Sequence, residues 1–286
     1  MAEILICGGL LIDRYLQIDK YPWRGGDGYI LDSFDVVGGC AVNIAKTVKN
    51  LGAKPYIVSF VGNDSHGDKI MGFMQEEQFD LDCVRRTDGN TGYCFVFLEP
   101  DGERTFLTYK GCETEYTDEL IPKGAADSCT VAAVTGYYLL DSSSRILVGR
   151  LKKLKKRGVK IVFDPSPLVD KIEKSCLEDI LSISDVITPN ETEAEYLAGF
   201  EKGDAAVIIT RGADGGTLYE KVKTIHYKAA VVDVVDTTGA GDSFTGAIAW
   251  ALAKGIPLEK GVLVAASAAG YVASIKGPHG DFDIEV

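Results

Sequence analysis

Short apolar runs of strand length alternate along most of the chain with amphipathic runs of helix length, and this rhythm limits the fold more than any single residue does. Runs at 4–8, 56–61, 130–135, 159–163, 185–189 and 205–210 are apolar at consecutive positions, the pattern of strands buried on both faces. Between and after them, 41–52, 65–78, 142–157, 172–183, 191–198, 241–254 and 259–275 carry helical periodicity. Strands covered on both faces need helices on both, so the pattern predicts an α/β fold with a mainly parallel sheet. At 286 residues the chain is long enough to build one large core of this kind. The opening MAEILICGGLLID has no basic leader before its apolar run and carries Glu3 and Asp13. It therefore reads as a first core strand rather than a signal peptide.

Two stretches break the rhythm. One runs from about 12 to 35. The other, 91–111, has two β-rich arms, Tyr93–Leu98 and Thr105–Tyr109, around Pro100-Asp101-Gly102, a hairpin signal. Both arms carry large side chains at odd and even positions, so something is expected to pack on each face. The inference is a small β-sheet standing off the main body and covering a cleft.

Charge narrows the partners. The net charge of −12 repels nucleic acid and anionic membrane. No apolar stretch reaches the roughly 18 residues of a membrane span. A nucleotide stays compatible, because a phosphate site needs only local backbone N–H groups. The seven cysteines are scattered with no C-x-x-C pair and read as reduced core thiols of a cytoplasmic protein. His66, His226 and His279 have no metal-ligand spacing. The basic run Lys152–Arg157 reads as the last turn of a helix with the buried stripe Ile146, Leu147, Leu151 and Leu154, complementing the helix dipole.

Chemistry concentrates in Val235-Asp236-Thr237-Thr238-Gly239-Ala240-Gly241-Asp242-Ser243-Phe244, which follows the β-like Ala230–Val235 and opens an apolar helix. A Gly-Ala-Gly turn lets backbone approach a ligand closely, and N–H groups at a helix start are unsatisfied and electropositive. Gly239, Ala240 and Gly241 therefore offer a seat for the charge of a transferring phosphoryl group. Asp242, in the first turn, is placed to deprotonate an attacking hydroxyl. The bland alternative is an aspartate that merely caps the helix.

The full string D-T-T-G-A-G-D-S-F resembles the C-terminal signature of the ribokinase-like (PfkB) family of carbohydrate kinases, and further segments agree in the family's order. Gly38-Gly39-Cys40-Ala41-Val42-Asn43-Ile44-Ala45 resembles G-G-x-x-x-N-x-A, and Val61-Gly62-Asn63-Asp64-Ser65-His66-Gly67 resembles V-G-x-D-x-x-G. Gly8-Gly9 and Asp13 resemble the first strand and its substrate-binding aspartate. Asn190-Glu191-Thr192-Glu193 resembles N-x-x-E, and Thr210-Arg211-Gly212-Ala213-Asp214-Gly215 resembles T-x-G-x-x-G. The similarity spans nearly the whole chain.

The resemblance implies one three-layer α/β/α ribokinase-like domain over 1–286, with lid segments near 12–35 and 91–111 and a homodimer formed through the lid. It implies transfer of the γ-phosphoryl group of ATP to a sugar hydroxyl, with Asp242 as base. Asp13, Gly38, Gly39 and Asn43 would bind the substrate. Asn190, Thr210, Gly212 and Gly215 would border the nucleotide. Glu193, through water, and Asp164 would lie near Mg²⁺. In ribokinase-like members carbonyls near the carboxyl end bind a monovalent cation, so Asp236, Thr238 and Gly277 are candidates for K⁺. Two departures stand out: 197–204 nearly lacks the helix many members carry, and 276–280 is abbreviated. A nucleoside kinase with a base slot from Tyr15, Tyr93, Phe95, Tyr109 and Tyr137 is the alternative, and a non-catalytic sugar sensor a remoter one. A dinucleotide fingerprint and a P-loop are both missing from the sequence.

Overall fold

The structure, a computed structural model, describes residues 2–284 apart from 101, 102, 115, 118, 120 and 142. The turn expected at Asp101-Gly102 and the helix start expected at 142 thus lie outside the described residues.

The apolar runs become the centre of a nine-stranded sheet. Strands β1 (Glu3–Cys7), β4 (Lys54–Gly62), β5 (Val84–Thr87), β8 (Val131–Thr135), β9 (Lys160–Asp164), β10 (Val186–Ile187), β11 (Ala206–Thr210), β12 (Gly216–Glu220) and β13 (Lys223–Tyr227) are ordered β13-β12-β11-β10-β9-β8-β1-β4-β5. Every pair from β5 to β11 is parallel, and β12 and β13 add an antiparallel flank. The short 197–204 connection does not interrupt the sheet. Although β10 has only two residues, β11 still pairs with it and is covered by β12 on its other edge.

Alternate side chains of β1 show why helices are needed on both faces. Ile4 and Ile6 belong to one apolar core with buried residues of α1 (Cys40–Asn50), α2 (Ser65–Glu76), α7 (Ala240–Ala253) and α8 (Leu258–Ala273). Leu5 and Cys7 belong to a second, with buried residues of α3 (Lys123–Ser128), α4 (Ser144–Lys156), α5 (Lys174–Ile183) and α6 (Glu191–Leu197). The layers are α/β/α, with apolar burial on each face as the main stabilising term. In α4 the buried stripe is Leu147, Val148, Leu151 and Leu154. Ile146, expected in it, is exposed because it lies round the helix from that stripe. Residues 230–235, expected as β-like, form no strand; Val235 and Asp236 instead donate their N–H groups to the Ala273 carbonyl at the end of α8.

The two arrhythmic stretches form a separate four-stranded sheet. Its order is β3 (Ile30–Gly38), β2 (Leu11–Ile18), β6 (Gly92–Leu98), β7 (Arg104–Tyr109), with β2 and β6 parallel. One face carries Asp13, Tyr15, Cys94 and Val96, with Leu11, Tyr15, Cys94 and Val96 in a small core. The opposite face carries Tyr93, Phe95 and Phe97, whose rings pack on one another, and Tyr109 on Tyr93.

Candidate active site

The sites picked out in the sequence converge on one cleft between the carboxyl edge of the main sheet and the small sheet, the usual place for ligands in such folds. Asp242 sits in the first turn of α7, and Asn43 sits one turn into α1. They are 199 residues apart, yet Asn43 Nδ2 donates to Asp242 Oδ2 at 2.8 Å. Asn43 is therefore no helix cap: the N-cap of α1 is Gly39. Its amide clamps the carboxylate, while its Oδ1 is buried without a partner among the described residues and can accept from a ligand hydroxyl. Cys40, the first residue of α1, also donates its S–H to Asp242. Burial pushes the Asp242 carboxyl up from the ordinary aspartate value, and the bonds from Asn43 and Cys40 partly offset this.

Glycines explain how the parts come so close. A Cβ on Gly38 would stand 2.1 Å from Asp13 Oδ2, so the Asp13 carboxylate lies over the Gly38 backbone. A Cβ on Gly39, at φ +97°, would stand 2.3 Å from the Gly9 carbonyl oxygen. The missing side chains of these two glycines thus serve close approach within the protein. Asp13 lies within β2, opposite Val36 and Cys94, rather than capping a turn after a strand. It is 8% exposed, and burial first, then the nearby Asp242 charge, raise its carboxyl to about 7.

Asp164, at the end of β9, completes the acidic group. Its Oδ2 accepts from Thr245 Oγ1 at 3.0 Å and its Oδ1 from the Ser166 N–H at 3.0 Å. Burial, then the charges of Asp242 and Glu193, raise it to about 7. Glu193 forms a full capping box with Asn190: its Oε2 accepts from the Asn190 N–H at 2.9 Å and its Oε1 from Nδ2 at 2.8 Å. Asn190 Oδ1 in turn accepts from the Glu193 N–H at 2.9 Å. Neither Glu193 oxygen is idle, which fits an outer, water-mediated place near a metal and no closer one. Among the described residues no three His, Cys, Asp or Glu side chains are grouped so as to hold a metal ion by themselves, so a hard divalent cation here would lean on one carboxylate and keep most of its waters.

At the tip of α7, Gly239 is left-handed, with φ +77°. The Ala240 N–H turns back onto the Thr237 carbonyl at 3.2 Å, so that amide, expected to face an anion, is engaged in the turn. On its Gly241 side the tip is open: among the described residues nothing lies within 4 Å of where a Gly241 side chain would begin, whereas at Gly239 the Pro278 carbonyl backs the turn. Beside it runs an apolar groove of about 440 Å³ bordered by Thr210, Gly212, Gly215, Tyr227, Ala240 and Gly241. Asn190 borders it only indirectly, paired through its backbone with Thr210. Asp236, 3% exposed, is held by the Thr238 N–H at 2.9 Å and the Gly277 N–H at 3.1 Å.

Four residues that the fold brings to this site escaped the sequence reading. Cys40 was quoted in a motif but read as a core thiol; the other six cysteines are buried. Lys110, just past the end of β7, is half-buried and donates to the Tyr137 carbonyl at 2.6 Å. Glu113, 4% exposed, fills the space a Gly9 side chain would take and is raised to about 7 by burial, less the pull of Lys110. Arg104, on the small sheet, reaches Asp236. The charged cluster Lys110…Glu113 at the end of an apolar arm was the available signal. For Arg104 there was none.

Comparison with known proteins agrees with this geometry. The family described as pfkB family carbohydrate kinase matches residues 34–283. A relative in Escherichia coli, "Uncharacterized sugar kinase YegV", is 28% identical over 290 residues, covering 96% of this chain and 89% of that one. The ribokinase of Haemophilus influenzae is 28% identical over 292 residues, covering 96% and 93%. Among solved structures, a Thermotoga maritima ribokinase superposes with a TM-score of 0.83 at 25% identity, covering 97% and 94%. A Burkholderia thailandensis nucleoside kinase in complex with inosine shares the fold at a TM-score of 0.84 and 20% identity, covering 97% and 92%. A relative of each substrate class is thus present, and the acceptor does not follow from similarity. With an open helix tip beside an apolar groove, a clamped carboxylate at that tip and a family match over most of its length, the chain belongs to the PfkB family of carbohydrate kinases.

Proposed function

We propose that the protein transfers the γ-phosphoryl group of ATP to a hydroxyl of a free sugar, with Asp242 as the general base. The observation that carries this reading is Asp242 itself: clamped by Asn43 at the mouth of an open anion turn, across the cleft from Asp13. Asp242 takes the proton of the incoming hydroxyl as its oxygen attacks the γ-phosphorus, while the bond from that phosphorus to the β,γ-bridging oxygen breaks and ADP leaves. The raised carboxyl is a stronger base than a free aspartate, which brings it nearer the working pH. The amides of Gly239 and Gly241 hold the transferring oxygens. Asp13 and Asn43 Oδ1 accept hydroxyl protons of the acceptor, fixing which hydroxyl faces Asp242. The adenosine part lies in the groove by Thr210, Gly212 and Gly215. Mg²⁺, when bound, neutralises charge on the phosphates; Asp164 would hold it, and Glu193 through water.

The strand register favours a free sugar over a nucleoside. Tyr93 pairs with Ile12 and Phe95 with Arg14, so Tyr93, Phe95 and Tyr109 lie on the face of the small sheet opposite Asp13. Of the five aromatics that could make a base slot, Tyr15 and Tyr137 are left, and Tyr15 is already stacked on Phe34. A sheet covering the cleft acts as a lid that keeps water from the transfer. Exposed Tyr29, Ile30 and Leu31 on its β3 edge support pairing of two lids in a homodimer, which light scattering tests. The acidic charge supports neither a nucleic-acid nor a membrane partner, and scattered cysteines, most of them buried in the core, support a reducing, cytoplasmic setting.

The deciding experiment is a coupled ADP-release screen over pentoses, hexoses, phosphorylated hexoses, inositols and nucleosides, with ATP and ADP each offered as donor. Turnover on a free sugar with Mg·ATP is expected. Turnover on nucleosides alone overturns the choice of acceptor, and none with any acceptor overturns the kinase reading.

A further inference from the structure

Asp236 and Gly277, where the family resemblance places a monovalent cation, are differently arranged in this chain. The Asp236 carboxylate is deeply buried and already accepts two backbone N–H groups, from Thr238 and Gly277. Arg104 comes down from β7 of the lid and sets its Nη2 3.3 Å from Asp236 Oδ1 and 3.5 Å from the Val235 carbonyl oxygen. One guanidinium nitrogen thus faces a carboxylate oxygen and a carbonyl oxygen, the two kinds of ligand that K⁺ would take. The side chain of Arg104 is 18% exposed, so solvent weakens the pair little. A cation placed beside this guanidinium would meet like charge and find the single Asp236 charge already balanced. The residues present do not fit a bound K⁺.

The surrounding strap is filled in the same sense. A Cβ on Gly239 would lie 2.0 Å from the Pro278 carbonyl oxygen, so residues 277 and 278 brace the anion turn directly. The strap is tied to the lid as well: Lys276 Nζ stands 4.3 Å over the Phe34 ring, and the His279 ring nitrogen bonds the Val37 carbonyl at 2.9 Å. Asp236 therefore links strap and turn through its backbone bonds, and Arg104 links both to the lid.

We propose that Arg104 supplies, from the lid, the positive charge that this loop would otherwise take from a monovalent cation. It acts as a positioning residue: it touches no reacting atom, but it neutralises Asp236 beside the phosphate seat and couples lid closure to the shape of the anion turn. Left unbalanced, a buried carboxylate at that place repels the incoming phosphates and loosens the turn. The protein accordingly works without K⁺.

This inference rests on the kinase reading, and the two fail differently. Steady-state turnover, with the best acceptor from the screen, is measured at fixed ionic strength in choline, Na⁺ and K⁺ chloride. ADP affinity by calorimetry and Tm are measured in the same salts, so that the answer does not depend on turnover alone. The natural chain is expected to give equal values in all three. Arg104→Ala is expected to lose about tenfold in kcat and to bind ADP more weakly in choline, with K⁺ restoring both. Arg104→Lys, which keeps the charge, is expected to stay indifferent to K⁺. A natural chain whose turnover or Tm rises several-fold or by several degrees with K⁺ but not Na⁺ overturns the proposal. So does an Arg104→Ala variant that is unimpaired, or that no cation rescues. Should that variant fail to fold, the salt response of the natural chain and of Arg104→Lys still decides. Absence of turnover with every acceptor would instead refute the kinase reading, and the ADP and Tm measurements would stand.

Discussion

Replacing Asp242 by Asn separates chemistry from binding and stability within one substitution. The amide is isosteric and can still accept the bond that Asn43 Nδ2 gives at 2.8 Å, so the contact between α1 and α7 survives. What disappears is the proton acceptor. A general base is worth about 10²–10⁴ in rate, or about 3–5 kcal/mol of barrier, and kcat is expected to fall by that amount. The anion turn is backbone, so ADP affinity should change less than about threefold. Stability should move the other way. Asp13, raised from 3.8 to about 7, resists ionisation by roughly 4 kcal/mol at 1.36 kcal/mol per pH unit. Burial is the larger cause and the Asp242 charge the second, so removing that charge should return about 1 kcal/mol at pH 8. For a chain of this size that is about 2 °C in Tm. The assays are coupled ADP release, calorimetry with ADP, and thermal melts at pH 8. Turnover within about threefold of the natural chain would refute Asp242 as base, and a Tm lowered by several degrees would refute the electrostatic account of the cluster.

Other outcomes follow from the same geometry. Asp13→Asn should lower kcat/KM for the acceptor about ten- to a hundredfold by removing charge-assisted hydrogen bonds, while ADP binding measured by calorimetry stays unchanged. Gly239→Ala should cost about 2 kcal/mol in urea unfolding, since φ is +77° and the new methyl would meet the Pro278 carbonyl. Glu193→Ala should cost about 1 kcal/mol for the lost capping box; a fall in Mg²⁺ affinity well beyond that, read from kcat against Mg²⁺ concentration, would place Glu193 at the metal. Without divalent metal, Tm should fall as pH rises from about 4 to 7. Asp13, Asp164 and Glu113 stay protonated in the folded chain up to about 7 but ionise near 4 when unfolded, so their contribution is full at low pH and lost on the way to neutrality. A Tm flat over that range would contradict the burial of these carboxyls.

The residues themselves told a good deal of this. Unbroken apolar runs at Ile4–Cys7 and Val131–Thr135 specify strands covered on both faces whatever surrounds them, because alternate side chains leave neither face to water. The string from Asp236 to Asp242 specifies a glycine turn at a helix start, since the unsatisfied N–H groups there are a local property of the chain. Boundaries were less legible where pairing decides them: β10 is two residues long because its neighbours make it so, and β12 and β13 carry no long apolar run.

Only the folded chain decided which charges meet. Nothing local to Asn43 says that its amide will reach a carboxylate 199 positions away, or that Asp13 will rise with Asp242 nearby. The face on which Tyr93 lies depends on register with β2, and a register is a relation between two segments. Arg104 shows the same limit most sharply: in the sequence it is one more basic residue in a hairpin, and its role arises from lying 3.3 Å from a carboxylate 132 residues later in the chain. Backbone preference acts between near neighbours and is written along the chain. Electrostatic energy depends on distance and burial in space, and those exist only once the chain has folded.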